Sequence, residues 1–128
     1  MYALNKEITH LSFDETYKKV IDALKKQGFG VLTEIDVKDT MKKKLSIDFD
    51  RYVILGACNP PFAHKILEYD RNAGLLLPCN VCIWEKGNKV VISAINPVAL
   101  FETLINDDEV EPIAKEVKRR IDEVIDSI

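Results

Sequence analysis

The sequence predicts an α+β domain, and three observations carry that expectation. Val110, Ile113, Ala114, Val117, Ile121, Val124, Ile125 and Ile128 recur at helical spacing with charges between them, a stripe that must dock on something apolar. Leu75–Trp84 and Val90–Ile95 are apolar runs separated by Gly87-Asn88, the signature of a β-hairpin. The chain has 128 residues, 47% of them hydrophobic and 30% charged, which suits one domain, 1–128, with one core.

Taken in order, Tyr2–Thr9 alternates loosely and reads as an opening strand. Ser12 and Glu15 form a capping box, and Phe13, Tyr17, Val20, Ile21 and Leu24 continue at helical spacing until Gly28 stops the pattern. Phe29–Val37 alternates again and is rich in β-branched residues, a second strand. Lys38–Leu45 suits a short amphipathic helix with Met41 and Leu45 inward, and Asp48–Arg51 is a connection. Tyr52–Ala57 is almost wholly apolar, the mark of a strand buried on both faces. Asn59 offers a helix N-cap and Pro60 a first helical residue, with Ala63, Ile66 and Leu67 giving an apolar side through about Tyr69. The tight turn at Gly87-Asn88 sets a hairpin register that opposes Lys86 to Lys89, Trp84 to Val91 and Cys79 to Asn96, and Pro97 ends the second strand.

Four segments carry a resemblance: Gly28–Val37, Ile54–Pro61, Gly74–Val81 and Ser93–Pro97. Together they are similar to the domain-of-unknown-function 302 family, across nearly the whole chain. The resemblance implies a twisted, mainly antiparallel sheet with helices packed on it, of the TATA-binding-protein-like kind, and it implies no activity. Cys82 departs from the pattern, since an aliphatic residue is expected two places after Asn80, so chemistry that needed this thiol would be peculiar to this chain.

Charge and composition exclude several classes of function. A net charge of −3 with pI near 5.4 does not suit a nucleic-acid binder, and the one basic run, Lys42-Lys43-Lys44, reads as a solvated helix face. No apolar stretch approaches the ~20 residues that span a bilayer, and the first residues lack a signal peptide's basic start and apolar core. The expectation is a cytoplasmic protein with no membrane or nucleic-acid partner and its three cysteines reduced.

Cys79-Asn80-Val81-Cys82 is formally a C-x-x-C. In a strand, though, residues three apart point to opposite faces with Cα atoms about 10 Å apart, beyond the ~7 Å limit for a disulfide. The same alternation separates two of the thiols in any zinc site built from Cys58, Cys79, Cys82 and His64, so neither metal nor cofactor is expected. His10 and His64 are the only imidazoles and have no nucleophile motif beside them; His64 reads as a helix-surface residue. Glu34 and Asp36 share one face of the second strand about 7 Å apart, close enough for acid–base work, although paired carboxylates at a strand end are more often solvated or bonded to neighbours. Gly28 and Gly30 precede a strand and do not make a dinucleotide fingerprint.

The candidate ligand site is Cys58, Asn59, Cys79, Asn80 and Asn96, each where an apolar strand meets a turn or helix. If the strand ending at Cys58 runs antiparallel beside the one starting near Pro78, the two Cys-Asn pairs converge at the start of the helix at Pro60. Free backbone N–H groups there would suit a small anion. The alternative is that these amides simply satisfy backbone at strand ends. The sequence thus supports a non-catalytic small-molecule binding or interaction module, homo-oligomeric and most simply a dimer. Its rival is an enzyme using Cys58 or Cys79 as nucleophile with Glu34, Asp36 or His64 as partner.

Overall fold

In the computed structural model, which describes residues 1–128, the chain builds one antiparallel sheet with helices on one side of it. The elements are β1 (Ala3–Ile8), α1 (Phe13–Lys26), β2 (Gly30–Asp36), α2 (Val37–Leu45), β3 (Tyr52–Cys58), α3 (Pro60–Tyr69), a 3-10 turn (Arg71–Leu76), β4 (Cys79–Lys86), β5 (Lys89–Ile95), α4 (Pro97–Leu104) and α5 (Glu111–Asp126). The five strands lie in the order β1-β5-β4-β3-β2, every neighbour antiparallel.

The termini of the elements follow from local chemistry. Ser12 caps α1: its side chain accepts from the Glu15 N–H while the Glu15 carboxylate accepts from the Ser12 N–H. Gly28, at φ 84°, lets the chain leave α1 in the left-handed region; a Cβ there would lie 3.0 Å from the Asn59 side-chain nitrogen. The hairpin pairs Lys86 with Lys89 and Trp84 with Val91, as its sequence dictates. Gly87 alone takes positive φ, 61°, so the turn follows the type II′ pattern, which asks for glycine in its first central place.

Side chains alternate across the sheet, and only one face is covered. Val53, Leu55 and Ala57 of β3, Cys79, Val81 and Ile83 of β4, and Val90, Ile92 and Ala94 of β5 point toward α1 and α5 and are buried with Val20, Leu24, Val117, Ile121 and Val124. A second, smaller cluster joins Ile66 of α3, Phe101 of α4, and Val110 with Ala114 at the start of α5.

Besides Leu45, expected inward but 62% exposed, four expectations need correction. Leu75 is not in a strand: Arg71–Leu76 winds into a 3-10 turn started by Asp70, whose side chain accepts from the Asn72 N–H, and β4 begins only at Cys79. Pro97 does more than end β5, because it opens α4. The Asn96 side chain accepts from the N–H groups of Val98 and Ala99, so Asn96-Pro97 is a helix start like the one read at Asn59-Pro60. Asn59 stands at the N-cap position of α3 but makes no side-chain cap bond. Finally, β3 is buried on one face only: no helix covers Tyr52 or Ile54, which stay half-buried.

Candidate functional site

The β3–β4 pairing brings part of the predicted cluster together. Ala57 stands opposite Cys79, which makes Cys58 and Cys79 close neighbours, and Cys58, Asn59 and Cys79 line one small pocket with Phe29, Phe62 and Phe101. Its open volume is about 20 Å³, room for one water molecule. The other two residues lie elsewhere. Asn80 is exposed on the uncovered face, and Asn96 leaves the sheet to cap α4 while its side-chain nitrogen donates to the Met1 carbonyl, 3.3 Å away.

The chemistry of this corner is apolar and locked. Asn59 is 6% exposed, and its Nδ2 donates across 3.4 Å to the Gln27 carbonyl at the end of α1. Arg120 of α5 donates to the same carbonyl at 3.1 Å and lies over the Phe62 ring, 4.9 Å from its centre. The amide is thus a tie between strand and helix ends. Pro60 and Pro61 occupy the first two helical positions and carry no N–H, so the N-terminus of α3 lacks most of the donors that an anion would need.

None of the three thiols is set up as a nucleophile. Burial pushes the Cys79 thiol up to about 11, with Cys58 beside it adding to the rise, and burial alone pushes up Cys58. Cys82 is raised by burial and partly restored by its hydrogen bond with Tyr52, whose own phenol is pushed to about 12, chiefly by desolvation and then by that bond. The remaining catalytic candidates are dispersed. Glu34 takes a hydrogen bond from the Tyr17 hydroxyl, Asp36 caps α2 by accepting from the Asp39 N–H at 2.9 Å, and exposed His64 sits 3.3 Å from Glu68 one helical turn on. No group of three or more His, Cys, Asp or Glu side chains is gathered as metal ligands.

A different surface emerges from the register. On the uncovered face three rows run across the sheet: Thr33–Gly56–Asn80–Ile95–Ala3, Ile35–Ile54–Cys82–Ser93–Asn5, and Tyr52–Trp84–Val91–Glu7. Gly56 in the first row is forced by close approach, because a Cβ there would lie 2.2 Å from the Thr33 hydroxyl and 2.8 Å from Pro78. Tyr52 and Trp84 stack in the third row, and Phe49 leans on Tyr52 with ring centres 6.3 Å apart. Glu7 is the only charged side chain in the three rows; it sits at a corner, 3.0 Å from Lys89. Sequence reasoning passed over this face because apolar residues at every position of β3 look the same whether the second face meets helices or water.

An open antiparallel sheet, backed by helices and carrying no assembled catalytic group, defines the class of protein. Its sequence matches the family "Domain of unknown function DUF302" over residues 4–128, and the chain belongs to that family. It is similar to the uncharacterized conserved protein DUF302 from Bacillus stearothermophilus, known from a crystal structure, with a TM-score of 0.89 and 28% identity over 98% of this chain and 97% of that one. No curated protein matches the sequence. No helix is long and apolar enough to cross a membrane.

Proposed function

We propose that this protein is a non-catalytic interaction module, homo-oligomeric and cytoplasmic, that works through the uncovered face of its sheet. One observation carries the reading: three rows of a five-stranded sheet present Tyr52, Trp84, Ile54 and Ile35 without a helix over them and with a single charge, at a corner. Apolar surface of that extent on a water-soluble domain marks a contact site, because leaving it wet forgoes the main stabilising force of folding.

The rival reading, a cysteine-dependent enzyme, has little behind it. Burial raises the thiols of Cys58 and Cys79, and no cation lowers either one. A small anion at Cys58, Asn59 and Cys79 would meet aromatic rings and two prolines where donors are needed. Sedimentation of the purified chain tests the proposal. A mass of at least two chains at micromolar concentration is the expected result, and a strict monomer of 14.6 kDa would end it. Rapid alkylation of Cys58 or Cys79 at neutral pH would revive the enzyme.

A further inference from the structure

The geometry points to a second copy of this chain as what covers the face, in a two-fold dimer centred on Cys82; the inference rests on the reading of an interaction module and names its partner and contact. The face has two unlike halves. On the β2–β3 side it rises. Ile35 is 48% exposed and Phe49 39%, and Leu45 and Ile47 in the connection from β2 to β3 are also open to solvent, whereas Arg51 turns back to Phe13 and Asp14 of α1. The Phe49–Tyr52 ring contact places Phe49 on the uncovered side.

On the β4–β5–β1 side the face sinks into a groove of about 330 Å³, lined among others by Tyr2, Asn5, Asn80, Cys82 and Ser93. Asn80, Cys82 and Ser93 are small and uncharged and leave the floor low between Tyr2, Tyr52 and Trp84. Ridge and groove therefore lie side by side on one surface, flanking the middle strand β4. A two-fold axis that lies between two facing sheets and runs along β4 places the ridge of each copy over the groove of the other. The same operation sets Cys82, in the middle of the middle row, opposite its own counterpart.

Charge and size favour a copy over another partner. An isologous contact sets each patch against itself, so a patch with a strong sign of charge repels its image, whereas a neutral one does not. The three rows are neutral except for Glu7, which Lys89 already pairs. A different protein bound here would find no charge pattern to select it. Five strands about 4.8 Å apart and about 20 Å long give roughly 500 Å² per copy, or about 1,000 Å² for the pair. Phe49, against Tyr52, adds to that total, which approaches the ~1,200 Å² from which stable interfaces begin.

The test uses the full chain. Sedimentation across a dilution series should give a dimer whose dissociation red-shifts the emission of Trp84, the single tryptophan. A short bismaleimide should join two wild-type chains, a Cys58→Ser chain should still be joined, and a Cys82→Ser chain should not. Ile35→Lys and Phe49→Asp replace exposed side chains, so the thermal transition and circular dichroism should persist while dimerisation weakens at least ~10-fold, about 1.4 kcal/mol. A wild-type monomer would overturn both this inference and the proposed function. A dimer that is indifferent to Ile35→Lys and Phe49→Asp, or one joined through a thiol other than Cys82, would overturn the face while leaving an interaction module standing. So would a different protein or a small molecule occupying the groove of a monomer.

Discussion

Tyr52 and Trp84 stand directly opposite each other on β3 and β4, their rings 5.1 Å apart and 5° from parallel. They are the largest pair on the uncovered face. Aromatic cross-strand pairs of this kind contribute about 0.5–1.5 kcal/mol beyond the area they bury. A double-mutant cycle of Tyr52→Ala and Trp84→Ala, followed by urea denaturation, should return a coupling energy in that range; additivity of the two variants would show that the stack contributes nothing of its own.

Gly56 predicts a steric failure. Its missing Cβ keeps Thr33 and Pro78 against the strand, and Gly56→Ala should cost about 1–3 kcal/mol as overpacking. Adding Thr33→Gly should recover part of the loss by removing the closer contact, the remainder being owed to Pro78. Unchanged stability of Gly56→Ala would mean that β2 can move aside freely.

The two Asn-Pro steps should respond differently to alanine. Asn96→Ala removes two bonds to the first turn of α4 and should cost about 1 kcal/mol as a lost cap. Asn59→Ala removes no cap, and the Gln27 carbonyl keeps Arg120, so its cost should come from the space left in a buried corner. The two can be told apart by adding Arg120→Lys. This second change should deepen the effect of Asn59→Ala and leave that of Asn96→Ala unaltered.

Acid sensitivity should trace in part to Glu116. Hydrogen bonds from Arg119, then from Arg120, hold its carboxyl at about 2, well below the ordinary 4.5. A depressed carboxylate stabilises the folded chain above its unfolded value and loses that contribution as pH falls from about 4.5 through about 2. Urea midpoints measured across this window should fall for the wild type and run flatter for Glu116→Gln. Equal slopes would place the acid sensitivity elsewhere.

Thiol reactivity should rank by environment. Cys79 should react slowest with a thiol reagent at neutral pH, in keeping with its burial and with a thiol held up near 11, and its rate should climb with pH. In denaturant all three cysteines should react alike. The raised thiol stabilises the folded state below the unfolded thiol value, and that contribution is lost as pH rises toward about 11.

Much of the fold was legible because each of its elements is written locally. The Ser12–Glu15 box, the Gly28 stop, the Gly87-Asn88 turn and the α5 stripe each act within a few residues, and each stands where expected. The β3–β4 neighbourhood that joins Cys58 to Cys79 was also readable. What escaped was relational. Whether Asn59 caps its helix depends on Gln27 arriving from α1, and whether β3 is covered once or twice depends on how many helices the chain can spare. The helix at Pro97–Leu104 was missed for another reason, since Pro97 reads equally well as the end of a strand and as the first residue of a helix.

The strand order has a consequence for how the chain acquires its shape. β1 is made before the other four strands of the sheet, yet its only neighbour is β5, with Ala3 against Ile95 about 90 residues further on. Until β5 exists, β1 has nothing to pair with. The β4–β5 hairpin can close on its own through a short loop, whereas the docking of β1 has to close a loop that encloses most of the chain, a step whose entropy cost grows with the length enclosed. β1, made well before its partner, is therefore among the last strands to find its place, and on a stalled or truncated chain ending before Lys89 it stays an unpaired strand open to whatever edge it meets.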